Sequence, residues 1–126
     1  QTLKTVKLSP EDIGLVIAHG NGNAKSDDSE VLALKKVFAN HKVPVTAFKW
    51  SLGHTLCASG IVDAVMTSYA LEQKSAPGIA NLQQLTAEGE SLAISAEHQA
   101  IKTPYALMIN RGYASMNAVL VIKACE

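Results

Sequence analysis

Cysteine is scarce: Cys57 and Cys125 are the only two in 126 residues. They are too few and too far apart for a disulfide framework or a thiolate metal site. Both are read as reduced thiols of a reducing compartment, which predicts a cytoplasmic protein. No apolar run reaches the roughly 18 residues that a membrane-spanning helix needs. Residues 1–8 have none of the anatomy of a signal peptide. Charge of one sign is missing as well. Eleven basic and eleven acidic residues balance, leaving no electrostatic footprint for nucleic acid or an anionic membrane and favouring a small-molecule or protein partner. Repeats, low-complexity tracts and linker-like clusters are absent too. Residues 1–126 therefore read as one domain, long enough to bury about two thirds of its unfolded surface.

What is present alternates between two periods. Leu8-Ser9-Pro10-Glu11-Asp12 reads as a turn or a short helical start, and it feeds an apolar run over 13–18 with the length of a strand buried on both faces. Asp27 and Glu30 then open an amphipathic helix with Val31, Leu34, Val37 and Phe38 on one face and Lys35 and Lys36 opposite, ended by Asn40 and His41. A short β-branched and aromatic strand is expected over 43–48, and a helix over 53–73 that is apolar on most of its circumference and hence buried. Strands follow over 92–96, 105–110 and 117–124, the last two joined by a turn around Gly112. This order predicts an α/β layered fold, a mixed sheet with helices on both sides and a buried central helix.

Two constellations carry possible chemistry. His19-Gly20-Asn21-Gly22-Asn23 follows the first buried strand, and ligands of α/β sheets bind beyond the carboxyl ends of strands, where glycine lets them approach the backbone. A tight turn whose Asn and Gly residues merely tolerate positive φ would look the same. The glycines match neither a P-loop nor a dinucleotide fingerprint. Lys49-Trp50-Ser51-Leu52-Gly53-His54 stands where the second strand meets the apolar helix. At a helix N-terminus the macrodipole would keep His54 neutral, a hydrogen-bond donor suited to developing negative charge, although a cap residue without chemistry is the alternative.

Taken together, His19, Asp27, Glu30, Lys49, Gly53, His54 and the segment from Asn110 to Asn117 resemble, in order and spacing, the C-terminal half of β-ketoacyl synthases of the thiolase superfamily. That family has His-Gly-Thr-Gly-Thr with an Asp eight and a Glu eleven residues after the His, then a Lys five residues before His in Gly-His. It also has a Gly-Phe-Gly-Gly-x-Asn turn, matched loosely by Gly112-Tyr113-Ala114-Ser115-Met116-Asn117.

The resemblance implies a thiolase-like fold, the C-terminal half of a pseudo-dimer. It implies a decarboxylating condensing enzyme, a 3-oxoacyl-acyl carrier protein synthase of fatty acid or polyketide-type biosynthesis. His19 and His54 would stabilise the malonyl-derived enolate, with Lys49 holding the His54 side of the site and Glu30 as its ionic partner. Glu30 reads equally as the capping-box acid of an Asp27-x-x-Glu30 helix start. Tyr113 would stand at the gate of the acyl pocket with its backbone N–H in an oxyanion hole, and Asn21 and Asn23 would touch the pantetheine arm in place of two Thr. No metal or cofactor is implied. The implied partners are acyl carrier protein with acyl and malonyl groups, the N-terminal half of the same synthase, and a second subunit in a homo- or heterodimer.

The family's nucleophilic Cys lies in the N-terminal half, so these 126 residues alone are expected to be inactive. Cys57, expected to be buried and inert, does not stand at its position, and His41 and His98 match nothing and are expected to be solvated. Trp50 replaces a small polar residue, while Arg111, Ala114, Ser115 and Met116 replace Phe, two Gly and Thr. Side chains in place of glycine would narrow the acyl channel. A non-catalytic partner subunit of the chain-length-factor type is the alternative the departures leave open.

Overall fold

The apolar run expected as the first strand forms the middle of the structure. The computed structural model describes residues 1–38 and 41–125. A helical turn α1 (Thr2–Thr5) precedes a single 3-10 turn at Pro10–Asp12, where the Asp12 carboxylate accepts both the backbone N–H and the hydroxyl of Ser9 at 2.7 and 2.8 Å. Strand β1 (Ile13–Ile17) follows, and every residue in it is buried. Helix α2 (Ala24–Phe38), strand β2 (Pro44–Thr46), a helical turn α3 (Lys49–Leu52) and helix α4 (Ser59–Glu72) come next. Strands β3 (Ser75–Ala76), β4 (Ala93–Ile94), β5 (Gln99–Ala100), β6 (Tyr105–Arg111) and β7 (Asn117–Lys123) complete the chain.

Five strands make one mixed sheet in the order β4-β2-β1-β6-β7. All neighbours are parallel except β6 and β7, which form an antiparallel hairpin. β3 and β5 pair separately, a small ribbon the sequence reading did not anticipate. Alternation along the strands separates two cores. Leu15, Ile17, Ala106 and Met108 point to α4 with Ala70 and Leu71, whereas Ile13, Val16 and Leu107 point to Leu34 and Phe38 of α2. Helices thus cover both sides of the sheet, as expected. Burying each such aliphatic side chain contributes about 1.5–3 kcal/mol relative to exposure. The register of β1 against β6 shifts between Ile13 and Leu15. Gly14 sits there because a Cβ would lie only 2.5 Å from the Thr103 carbonyl oxygen.

Three expectations about helices are corrected. α2 begins at Ala24 rather than at Asp27, because Asn23 Oδ1 accepts the Ser26 N–H at 3.2 Å and so satisfies a donor of the first turn. Its buried line is Glu30, Leu34 and Phe38, and Val37 is exposed. Asn40, expected with His41 to end this helix, lies outside the described residues. The helix expected over 53–73 starts at Ser59, after α3 and a 3-10 turn at Leu56–Ala58. It packs on the sheet through Ser59, Asp63, Thr67, Ala70 and Leu71, yet Ile61, Val65 and Tyr69 are 68%, 63% and 59% exposed. Spaced four apart, those three form a stripe that the other described residues leave exposed. Apolar residues all round a helix signal two contacts, and the sheet supplies one.

Candidate active site

The loop after β1 and the loop after α3 bring His19 and His54 together. Their rings stand edge to face at 78°, with centroids 5.3 Å apart. The expected shared edge is thus observed for two residues 35 positions apart in sequence.

His19 is buried at the end of β1, and its surroundings determine which ring nitrogen is free. Its Nδ1 accepts the backbone N–H of Arg111 at 3.3 Å. An amide can only donate, so Nδ1 carries a lone pair and the proton of the neutral ring sits on Nε2. Burial, then the Lys49 ammonium, His54 and Arg111 lower its pKa to about 4, against a smaller opposing pull from Asp63. His54 is set in the same tautomer by different means. The Leu56 N–H donates to its Nδ1 at 3.1 Å, and Leu56 reaches that place by adopting φ 51, a conformation costly for a leucine. The expected position of His54 at a helix N-terminus is corrected, since α4 begins five residues later. A local amide, and not a macrodipole, directs its ring.

The loop backbone is fastened by carboxylates. Glu30, buried on α2, accepts the backbone N–H groups of His19 at 2.8 Å and Gly20 at 3.1 Å. Burial raises its pKa, opposed by those two N–H donors. Asp27 accepts the Gly22 N–H at 3.1 Å, and burial raises its pKa as well. Gly20 has φ 46, and a Cβ there would stand 2.7 Å from the Ala47 Cβ, so glycine is required on both counts.

The expected ion pair between Lys49 and Glu30 is corrected. Lys49 Nζ bonds Asp63 Oδ2 at 2.7 Å, with both side chains almost wholly buried. Glu30 is occupied by backbone amides, and Asp63 comes from the buried face of α4. Asp63 is the partner of Lys49 that sequence reasoning overlooked. The available signal was a carboxylate inside an apolar helix, because a charge is rarely buried without a partner.

Other assignments divide. Asn21 Oδ1 accepts the Asn23 N–H at 3.0 Å and Asn23 Oδ1 caps α2, so both carbonyl oxygens already serve the loop. Tyr113 is 90% exposed at the tip of the β6–β7 turn. Ala114 and Ser115 there adopt φ 53 and 61, conformations that glycine takes without strain. Cys57 is exposed, contrary to expectation, because it lies on the 3-10 turn ahead of α4. His41 is not solvated: half-buried, its Nε2 lies 3.0 Å from the Ile13 carbonyl oxygen, a structural bond to β1. His98 is exposed. Among the described residues no group of three or more His, Cys, Asp or Glu is placed to hold a metal ion. No helix among them is long and apolar enough to cross a membrane. A cavity of about 740 Å³ between α1, α2 and the β6–β7 hairpin is lined by neither His19 nor His54.

The depressed pKa of His19 makes stability depend on pH. Between about 4 and the ordinary histidine value of 6.5 the unfolded chain binds a proton that folded His19 refuses. Its contribution is therefore fully present above 6.5 and lost as the pH falls through that window. Denaturant midpoints measured across this range are expected to fall toward acid, with a smaller slope for His19→Gln. Equal slopes would show that His19 is not held neutral.

Residues 1–83 match the family model described as the beta-ketoacyl synthase C-terminal domain. The 3-oxoacyl-[acyl-carrier-protein] synthase 2 of Synechocystis sp. is 29% identical over 123 residues, which are 96% of this chain and 30% of that protein. The putative polyketide beta-ketoacyl synthase 1 of Streptomyces virginiae is 27% identical, over 98% of this chain and 30% of its own length. The crystal structure of a beta-ketoacyl synthase from Burkholderia phymatum superposes with a TM-score of 0.91 at 26% identity, over 98% of this chain and 30% of that one. The chain thus spans about 30% of the length of these relatives.

Proposed function

We propose, from the premise that this chain belongs to the family of β-ketoacyl synthase C-terminal domains, that it supplies the charge-stabilising half of a decarboxylating condensing site. The observation that carries the reading is the pair of imidazole rings with centroids 5.3 Å apart. Each has Nδ1 bonded to a backbone amide, so each offers Nε2–H as its free donor. Two preorganised donors suit the oxygen of a thioester carbonyl that becomes an enolate as a malonyl group loses carbon dioxide. Enolate carbon then attacks an acyl thioester. Lys49 and Asp63 hold the floor of the site, Tyr113 would gate the acyl channel, and pantetheine contacts would come from the free amide ends of Asn21 and Asn23.

Such a reaction needs a nucleophile held beside these donors, and the acyl group would rest on a Cys in the part of the protein outside these residues. The stripe of Ile61, Val65 and Tyr69 supports a contact with that part. One C-terminal domain over 1–126 is supported by β6, which lies beyond the matched residues 1–83 yet pairs directly with β1. Acyl carrier protein as the thioester donor, a dimeric assembly and a cytoplasmic setting complete the proposal. Its relative from Synechocystis is by name a synthase acting on that carrier.

The second reading, a non-catalytic synthase-like partner subunit, is favoured by the side chains at Ala114 and Ser115 where the family has glycine. The full-length protein, incubated with a labelled acyl thioester, is expected to carry one acyl group on a Cys outside these 126 residues. Labelling at Cys57 would overturn the assignment of the nucleophile. Absence of any acylation would favour the partner-subunit reading.

A further inference from the structure

We infer that the Arg111 side chain is a positioning residue for His19: by clamping the end of β6 to the start of α2, it holds the amide that determines the His19 tautomer. The inference rests on the proposed role of His19 and adds to it. Arg111 Nη1 donates to the Ser26 carbonyl oxygen at 2.6 Å and to Ser29 Oγ at 2.8 Å, with Ser26 Oγ at 3.4 Å. All three acceptors lie at the start of α2, the helix whose Glu30 holds the His19 backbone N–H. His19 is therefore referenced to α2 twice, by its backbone through Glu30 and by its ring through Arg111.

The ring contact is the sensitive one. At 3.3 Å the bond from the Arg111 N–H to Nδ1 is already near the limit of a hydrogen bond. A retreat of the strand end by a few tenths of an ångström would release it. What holds the strand end is a guanidinium with charge-assisted bonds, stronger than neutral ones. The resemblance puts a Phe at this position, which has no such head group, so the clamp belongs to this chain and not to the family pattern. β6 ends here, where Arg111 pairs with Asn117 of β7 and the chain turns sharply through Gly112, Ala114 and Ser115, so the hairpin fixes the strand end to β7 and the guanidinium fixes it to α2.

The groups facing His19 are Lys49 from α3, His54 from the following loop, Asp63 from α4 and Arg111 itself, with Glu30 of α2 at its backbone. Removing the guanidinium deletes one opposing cation directly. Releasing the ring to water also relaxes the burial that contributes most to the low pKa.

The test is histidine-selective NMR of the full-length protein, with the His19 signal assigned by its loss in His19→Gln. Arg111→Met keeps the apolar stem and removes the head group. In it the His19 pKa is expected to rise from about 4 by more than about half a unit. A population with the proton on Nδ1 is expected to appear, while His41 and His54 keep their signals. Arg111→Lys, which keeps the charge, is expected to restore the pKa in part. Should Arg111→Met fail to fold, Ser29→Ala removes an exposed acceptor of the clamp and is expected to give a smaller shift in the same direction. An unchanged His19 tautomer and pKa in either folded variant would overturn the inference. These signals do not depend on turnover, so a folded variant with a perturbed His19 that still releases carbon dioxide at the parent rate would sink the catalytic reading and leave the clamp standing.

Discussion

In the full-length protein His54→Ala is expected to slow the release of carbon dioxide from a malonyl thioester by about 10²–10³-fold, the usual cost of losing one preorganised donor to a developing oxyanion. Acylation of the nucleophile should be nearly unchanged, since His54 is proposed to touch the extender and not the acyl group. His19→Ala is expected to have an effect of similar size. The double variant should be little worse than either single one, because two donors converging on one oxygen act as a unit. Release of labelled carbon dioxide under saturating thioester measures the effect. Rates within a few-fold of the parent for both single variants would remove the histidine pair from the chemistry.

Breaking the interior ion pair should have the largest effect on stability. Lys49→Met or Asp63→Leu alone is expected to destabilise by about 3–5 kcal/mol, because the remaining partner would be a buried charge without a counterion. Lys49 and Asp63 are 8% and 1% exposed, so water offers little relief. Combining the two substitutions should recover most of the loss, since an apolar pair of similar volume suits this interior. Denaturant midpoints for the four proteins complete the cycle. If the double variant is as unstable as the sum of the singles, the pair is not an isolated unit. The bond from Thr67 Oγ1 to the Asp63 carbonyl oxygen on the same helix would be the next place to look. The recovered double variant is also the right background for asking what the Lys49 charge does for catalysis, because it separates charge from folding.

The structure brings together two histidines whose rings are held by different surroundings. His19 is neutral because it is buried among cations, and its pKa falls to about 4. His54 is exposed, and its tautomer comes from one amide of a strained Leu56.

The alternation of apolar runs and amphipathic stretches by itself determined the sheet-and-helix layering. β1 is buried on both faces because Ile13 to Ile17 offers no polar side chain to either side. Period is a local property, and so is the spacing of His19, Asp27, Glu30, Lys49 and His54 that signals the family. Partnership is not local. That Lys49 finds Asp63, that Glu30 holds amides instead of an ammonium, and that His41 bonds β1 depend on which elements the sheet places side by side. The start of α4 at Ser59 was hidden for the same reason, since the apolar residues before it satisfy helix and turn alike until Gly53, with φ 74, and Leu56 break the run. Only the tertiary structure decided that the two rings meet, because a separation of 35 positions becomes 5.3 Å only when β1 and β2 lie parallel and both loops leave the same edge.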